Sequence, residues 1–217
     1  MKYTLIVLFV IILIGFVGFS VVKNFRSQVS QTEIQDQPVL EENQVNNMEA
    51  PKISIDKNKK YSAVLHTEKG DITIELTADK TPITVNNFVT LAKKEFYNNT
   101  IFHRVIKGFM IQGGDPKGDG TGGPGYTVTE KPTDDTNYSR GIIAMAKKMN
   151  EPPGTQGSQF FIMHSDNPMP KDYVSFGKVS SGMDVVDAIA ESPVQPSGEM
   201  STPVTPVKVL TIDIEEK

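Results

Sequence analysis

From Tyr3 to Val22 the chain runs for roughly twenty residues without a charge, long enough at the helical rise to cross a hydrocarbon core. Such a run either spans a bilayer or is removed as a secretory signal, and both readings take it out of the folded domain. A cleaved signal would have a shorter apolar core ending in a small-x-small site. Here the run continues through Val21 and Val22 to Lys23, and Gly15, Gly18 and Ser20 make no such site. The pattern therefore predicts an uncleaved, single-pass anchor over residues 1–26. Lys2 and the terminal amine are balanced by Lys23 and Arg26, so charge does not set the orientation. The usual habit of signal anchors places the folded part on the extracytoplasmic side.

Residues 27–60 are rich in Gln, Asn, Glu and Lys and poor in large apolar side chains, too poor to offset the entropy of ordering. They read as a flexible polar linker. The remaining stretch, 61–217, is roughly 155 residues, enough for one core without disulfides or metal. It reads as a single, monomeric soluble domain. The chain has no cysteine, which removes thiolate metal sites and thiol chemistry. Net charge is −4 with no long Lys/Arg run, so nucleic acid is not an expected partner.

Beyond Tyr61 the chain breaks into short alternating segments divided by Gly- and Pro-rich turns. Tyr61–Thr67 and Asp71–Leu76 around Gly70 read as a hairpin. Thr81 followed by Pro82 marks a helix start, and Val85, Phe88, Val89, Leu91 and Ala92 recur at helical spacing. Further strands are predicted over 101–106, 110–113, 141–145, 159–163, 174–179 and 207–214, with a second helix over 183–190. Many short strands and two helices favour a β-barrel or sandwich over a doubly wound sheet.

The densest constellation runs from Phe102 to Asp115: Phe-His-Arg-Val-Ile-Lys-Gly-Phe-Met-Ile-Gln-Gly-Gly-Asp. On a strand, Phe102, Arg104 and Ile106 share a face, which aims an arginine among apolar neighbours. A half-buried guanidinium needs either a structural carboxylate or a ligand carbonyl to receive its donors. This segment alone leaves both open. Two more blocks follow, Gly141-Ile-Ile-Ala-Met-Ala146 and Gly157-Ser-Gln-Phe-Phe-Ile162, and then Phe176-Gly177-Lys178-Val179.

Together these blocks closely resemble the cyclophilins, over about Tyr61 to Glu216. The resemblance implies a mainly β fold: a closed eight-stranded antiparallel barrel capped by two helices, here preceded by one N-terminal transmembrane helix. It implies peptidyl-prolyl cis-trans isomerase activity on proline-containing polypeptide clients, assisting protein folding, with no cofactor and no metal. The family's catalytic arginine falls on Arg104, and Gln112 matches the glutamine beside the substrate backbone. Its proline pocket falls on Phe109, Met110 and Phe161. Ala146 and Lys147 match the strand that presents backbone groups to the residue before proline, and Gln159 matches a residue lining the groove. Phe102, on the predicted face of Arg104, joins the substrate-binding set. Many relatives carry a Leu-Asp-Gly turn after the third block; here the text is Asn-Pro-Met-Pro-Lys-Asp-Tyr, which puts Met169 and Tyr173 at the pocket wall. Lys147 stands where many relatives have Asn, which suggests a basic rim favouring acidic residues beside the target proline.

Rival chemistries are poorly supported. Gly118–Gly123 formally fits G-x-G-x-x-G, but Pro124 follows and no helix opens, so it reads as a loop. His66, His103 and His164 lack the short spacing of a zinc site. Ser158 lies in Gly-Ser-Gln, outside any nucleophile elbow. The serious alternative is a non-catalytic proline-peptide-binding or chaperone module using the same groove.

Overall fold

Strict alternation produces the first hairpin. In β1 (Tyr61–Thr67) and β2 (Gly70–Leu76), Tyr61, Ala63, Leu65, Ile72, Ile74 and Leu76 turn inward, and the register pairs Tyr61 with Leu76 and Thr67 with Gly70. The computed structural model describes residues 48–132, 138–195 and 201–217. The predicted anchor and the linker up to residue 47 lie outside these. Among the described residues no helix is long and apolar enough to cross a membrane.

Helix α1 (Pro82–Lys93) buries Val85, Phe88, Val89, Leu91 and Ala92. Thr81 occupies the N-cap position, but its hydroxyl donates to the Thr77 carbonyl at 3.2 Å and makes no cap bond. Glu130 does the capping from a distant loop: its carboxylate accepts from the Ile83 and Thr84 amides at 3.1 and 2.8 Å. An anionic cap at a helix N-terminus is favoured by the free amides and the macrodipole.

The other strands are β3 (Arg104–Ile106), β4 (Met110–Gly113), β5 (Val128–Thr129), β6 (Ile142–Met145), β7 (Thr155–Gln156), β8 (Phe160–Met163), β9 (Ser175–Ser181) and β10 (Val209–Glu216). Helix α2 (Met183–Ala190) lies between the last two. Eight strands form one sheet in the order β10-β1-β2-β9-β6-β8-β4-β3, and β5 pairs separately with β7. Register shifts at His66/Thr67, Thr73/Ile74 and Ile143/Ala144 mark irregularities that help the sheet curl.

Two expectations change here. The sheet is a curled half-barrel, not a closed barrel, because no ladder joins β10 to β3. The gap is spanned by isolated bonds, Phe102 N–H to the Val207 carbonyl at 3.0 Å and Val209 N–H to the Thr100 carbonyl at 2.8 Å. Pro203 and Pro206 precede β10 and have no N–H to extend that pairing. The second change concerns 48–60, read from composition as linker. Ser54 and Ile55 donate backbone amides at 2.8 and 3.3 Å to the side-chain oxygen of buried Asn86 on α1, whose amide donates to the Lys52 carbonyl at 3.1 Å. Met48 and Ile55 pack against the core. The attachment runs mainly through backbone groups, to which composition is blind.

The interior is aromatic. Phe88 lies edge-on to Phe160 at 5.9 Å, Tyr97 edge-on to Phe160 at 5.7 Å, and Phe176 against Phe88 at 5.1 Å. Both helices contribute to this same core. Burial pushes the Tyr97 phenol well above its ordinary pKa, and its hydroxyl donates to the Ser158 carbonyl at 3.2 Å.

Candidate active site

Strands β3, β4, β8 and β6 carry two different faces. Val105, Ile111, Phe160, Ile162, Ile143 and Met145 belong to the interior core. Met110, Ala144, Phe161 and Met163 form a second, separate apolar cluster with Tyr138, and Ile106, Phe109, Ile142, Ala146, Met169 and Tyr173 pack against it. Period-two alternation sorts each strand between the two clusters.

Cross-strand pairing assembles a row along that second face, polar at one end and apolar at the other. Arg104 lies opposite Gln112, Gln112 opposite Phe161, and Phe161 opposite Ala144. The Arg104 guanidinium donates through Nη1 to Gln112 Oε1 at 3.3 Å. Gln112 Nε2 donates to Gln159 Oε1 at 3.0 Å, and Gln159 Nε2 donates to the Gly120 and Gly122 carbonyls at 3.0 and 2.9 Å. A guanidinium has no acceptor, so this relay fixes both amide orientations. Among the described residues no carboxylate pairs with Arg104. Among the described residues the structural salt bridge that the sequence left open is therefore absent. Desolvation lowers the pKa of Arg104, with the Tyr173 phenol acting in the opposite sense. The result is a half-buried cation held by a neutral amide, with donor capacity to spare.

Beside the arginine the apolar cluster is shaped by edge-to-face rings. Tyr173 stands against Phe161 at 5.4 Å and against Tyr138 at 6.2 Å. Tyr138 OH donates to the Tyr173 carbonyl at 2.9 Å, tying a loop residue to the wall. Behind β4, Gly114 has φ +79°, and a Cβ there would lie 2.6 Å from the Ser158 carbonyl and 2.8 Å from the Phe160 ring. Only glycine fits this close approach beside Gln112.

The structure brings together Arg104, Gln112, Gln159, Phe109, Met110, Phe161, Met169, Tyr173 and Ala146 on this face. Two residues differ from expectation. Phe102 is fully buried in the interior core, its ring 6.3 Å from Phe160. The strand begins only at Arg104, so alternation does not extend back to put Phe102 on the arginine face. Lys147 turns into its own loop, donating to the Glu151 carbonyl at 3.1 Å, so its ammonium does not form the expected basic rim. His103 is buried, and desolvation lowers its pKa.

Sequence reasoning missed Ala144 and Met163, although two-residue spacing from Ala146 and Phe161 would have found them. It also missed Tyr138, for which no local pattern exists, and the glycine-loop carbonyls at Gly120 and Gly122. Among the described residues no cluster of His, Asp and Glu is arranged to hold a metal.

A family model described as cyclophilin type peptidyl-prolyl cis-trans isomerase/CLD matches residues 62–214. A Dictyostelium discoideum protein named peptidyl-prolyl cis-trans isomerase-like 3 is 44% identical over 138 residues, covering 61% of this chain and 84% of the relative. A Mycobacterium tuberculosis protein named probable peptidyl-prolyl cis-trans isomerase B is 38% identical over 167 residues, 70% of this chain and 53% of the relative. A crystal structure of a Cryptosporidium parvum cyclophilin type isomerase aligns with TM-score 0.66 at 36% identity, covering 73% of this chain and 99% of that one. A second crystal structure of that protein, in the presence of the dipeptide Ala-Pro, aligns with TM-score 0.65 at 35% identity. With a family model matched over residues 62–214 and Arg104, Gln112 and Phe161 of its signature blocks gathered on the outer face of the curled sheet, the chain belongs to the cyclophilin-type peptidyl-prolyl cis-trans isomerase family.

Proposed function

We propose that this protein accelerates rotation about X-Pro bonds in polypeptide clients, working from the Arg104 face of the sheet. The observation that carries the reading is Arg104 itself, half-buried and held by Gln112 with no carboxylate partner among the described residues, beside an apolar cluster. Peptide rotation is slow because resonance gives the C–N bond partial double-bond character, with a barrier of about 18–20 kcal/mol. As the X-Pro bond twists, resonance is lost and the prolyl nitrogen becomes pyramidal with a free lone pair. A guanidinium N–H aimed at that lone pair interacts more strongly with the twisted state than with either planar isomer, which lowers the barrier. Phe109, Met110 and Phe161 hold the ring by apolar burial, with Met169 and Tyr173 as wall. No bond is made or broken.

The test is a protease-coupled assay of a proline peptide with the full-length chain. Acceleration supports the isomerase reading. Peptide binding without acceleration supports the non-catalytic binding module.

The apolar run Tyr3–Val22 supports a single-pass membrane protein, with the isomerase domain extracytoplasmic and beyond a polar tether. Fractionation followed by protease treatment of intact cells tests both parts. A soluble chain, or a domain protected from external protease, contradicts them.

A further inference from the structure

We propose that His164 is a positioning residue for the proline pocket, holding the β3–β4 turn that carries Phe109 through an acceptor bond from the Gly108 amide; this rests on the isomerase reading. The turn runs Ile106-Lys107-Gly108-Phe109, closed by the Phe109 amide donating to the Ile106 carbonyl at 2.9 Å. Gly108 has φ +77° with nothing within 4 Å of a would-be Cβ, so no packing holds this point of the turn. Its amide instead donates to Nδ1 of His164 at 2.8 Å. The His164 amide in turn donates to the Phe109 carbonyl at 2.8 Å. Ser165 Oγ bonds the Gly108 carbonyl. One residue beyond Met163 in the pocket cluster, the chain thus grips both sides of the turn that presents Phe109.

The ring is itself oriented. Because Nδ1 accepts, the ring proton sits on Nε2, which faces Asp187 Oδ1 of α2 at 3.2 Å. Arg140 clamps that carboxylate with two bonds of 2.7 and 2.8 Å and donates to the His164 carbonyl at 2.6 Å. The same arginine holds the Asp187 carboxyl below its ordinary range. The charged groups facing the ring, Asp187 and Arg140, therefore fix its tautomer and tilt. This gives a short chain of contacts from α2 to the pocket: Arg140, Asp187, His164, Gly108, Phe109.

The proline ring meets Phe109 in the planar and the twisted states alike, so loosening the turn weakens binding uniformly. The readout is the separation of KM from kcat on a proline peptide, using the full-length chain. His164→Leu should raise KM roughly three- to tenfold with kcat within about twofold of wild type. It should also speed deuterium exchange at the Gly108 amide. His164→Asn, whose amide oxygen can stand near the place of Nδ1, should restore both. If the leucine variant fails to fold, His164→Ala removes the Nδ1 acceptor without adding bulk beside the turn, and should show the same rise in KM. An unchanged KM in a folded leucine or alanine variant overturns the proposal, as does failure of the asparagine variant to restore it. If the wild-type chain proves inactive, the isomerase reading fails by itself, and peptide affinity with Gly108 exchange still decides the role of His164.

Discussion

The two faces of β4 and β8 are one residue apart in sequence and opposite in purpose. Phe160 turns into the interior, fully buried among Phe88, Tyr97 and Phe102. Phe161 turns outward into the smaller cluster beside Arg104 and Gln112. The interior cluster is built of rings and other apolar side chains, most of them fully buried; the outer cluster is flanked by a cation, two amides and partly exposed rings. Folding free energy is concentrated on the first face and recognition on the second. A sheet with alternating side chains does this without any extra element, because one strand serves both faces at once.

The comparison is broken most severely at the interior ring. Phe160→Ala should cost about 3–5 kcal/mol in chemical denaturation, the usual range for deleting a buried aromatic. Phe161→Ala should cost less in stability but raise KM for a proline peptide roughly ten- to a hundredfold, from lost apolar contact. If both variants lost stability equally and bound peptide equally, the division between faces would be wrong. Asn86→Ala should cost about 1–2 kcal/mol. It should also accelerate exchange at the Ser54 and Ile55 amides while leaving turnover unchanged.

The smallest effect belongs to a polar surface on the outer side of β1. His66 lies between Asp71 at 2.8 Å and Asp213 at 3.2 Å, and the bond to Asp71 raises its pKa above the ordinary 6.5. A raised histidine pKa stabilises fully below the unfolded value, and the contribution disappears as pH rises through the folded value. The Asp71→Asn variant should therefore be less stable than wild type in mild acid and equal to it at alkaline pH. Solvent screening keeps the difference under about 1 kcal/mol.

Much of the site was legible because its residues sit in short, dense blocks. Arg104, Gln112, Gln159 and Phe161 each lie on or beside a strand whose alternation is visible in the text. Phe102 was misplaced because the alternation does not extend back past Arg104; two residues before β3, the Phe102 backbone bonds to Val207 instead of a regular ladder. Lys147 misled because a lysine side chain can fold back on its own loop, which depends on carbonyl positions and not on residue type. Glu130 as cap of α1 and Tyr138 in the pocket wall are contacts across long sequence separations, carried by single residues with no repeat to announce them. The docking of 48–60 onto Asn86 was hidden for the same reason: a buried asparagine on a helix face carries no label for its partner.

The most direct measurement is the separate determination of kcat and KM for Arg104→Ala on a proline peptide by NMR exchange, alongside denaturation of the same sample. If the guanidinium acts on the twisted amide, kcat should fall by about 10²–10³ with KM nearly unchanged. Stability should stay level or rise, because a half-buried cation with no carboxylate partner among the described residues is removed. A variant that keeps its kcat and loses only peptide affinity would contradict the account, making Arg104 a binding group and this face a docking groove.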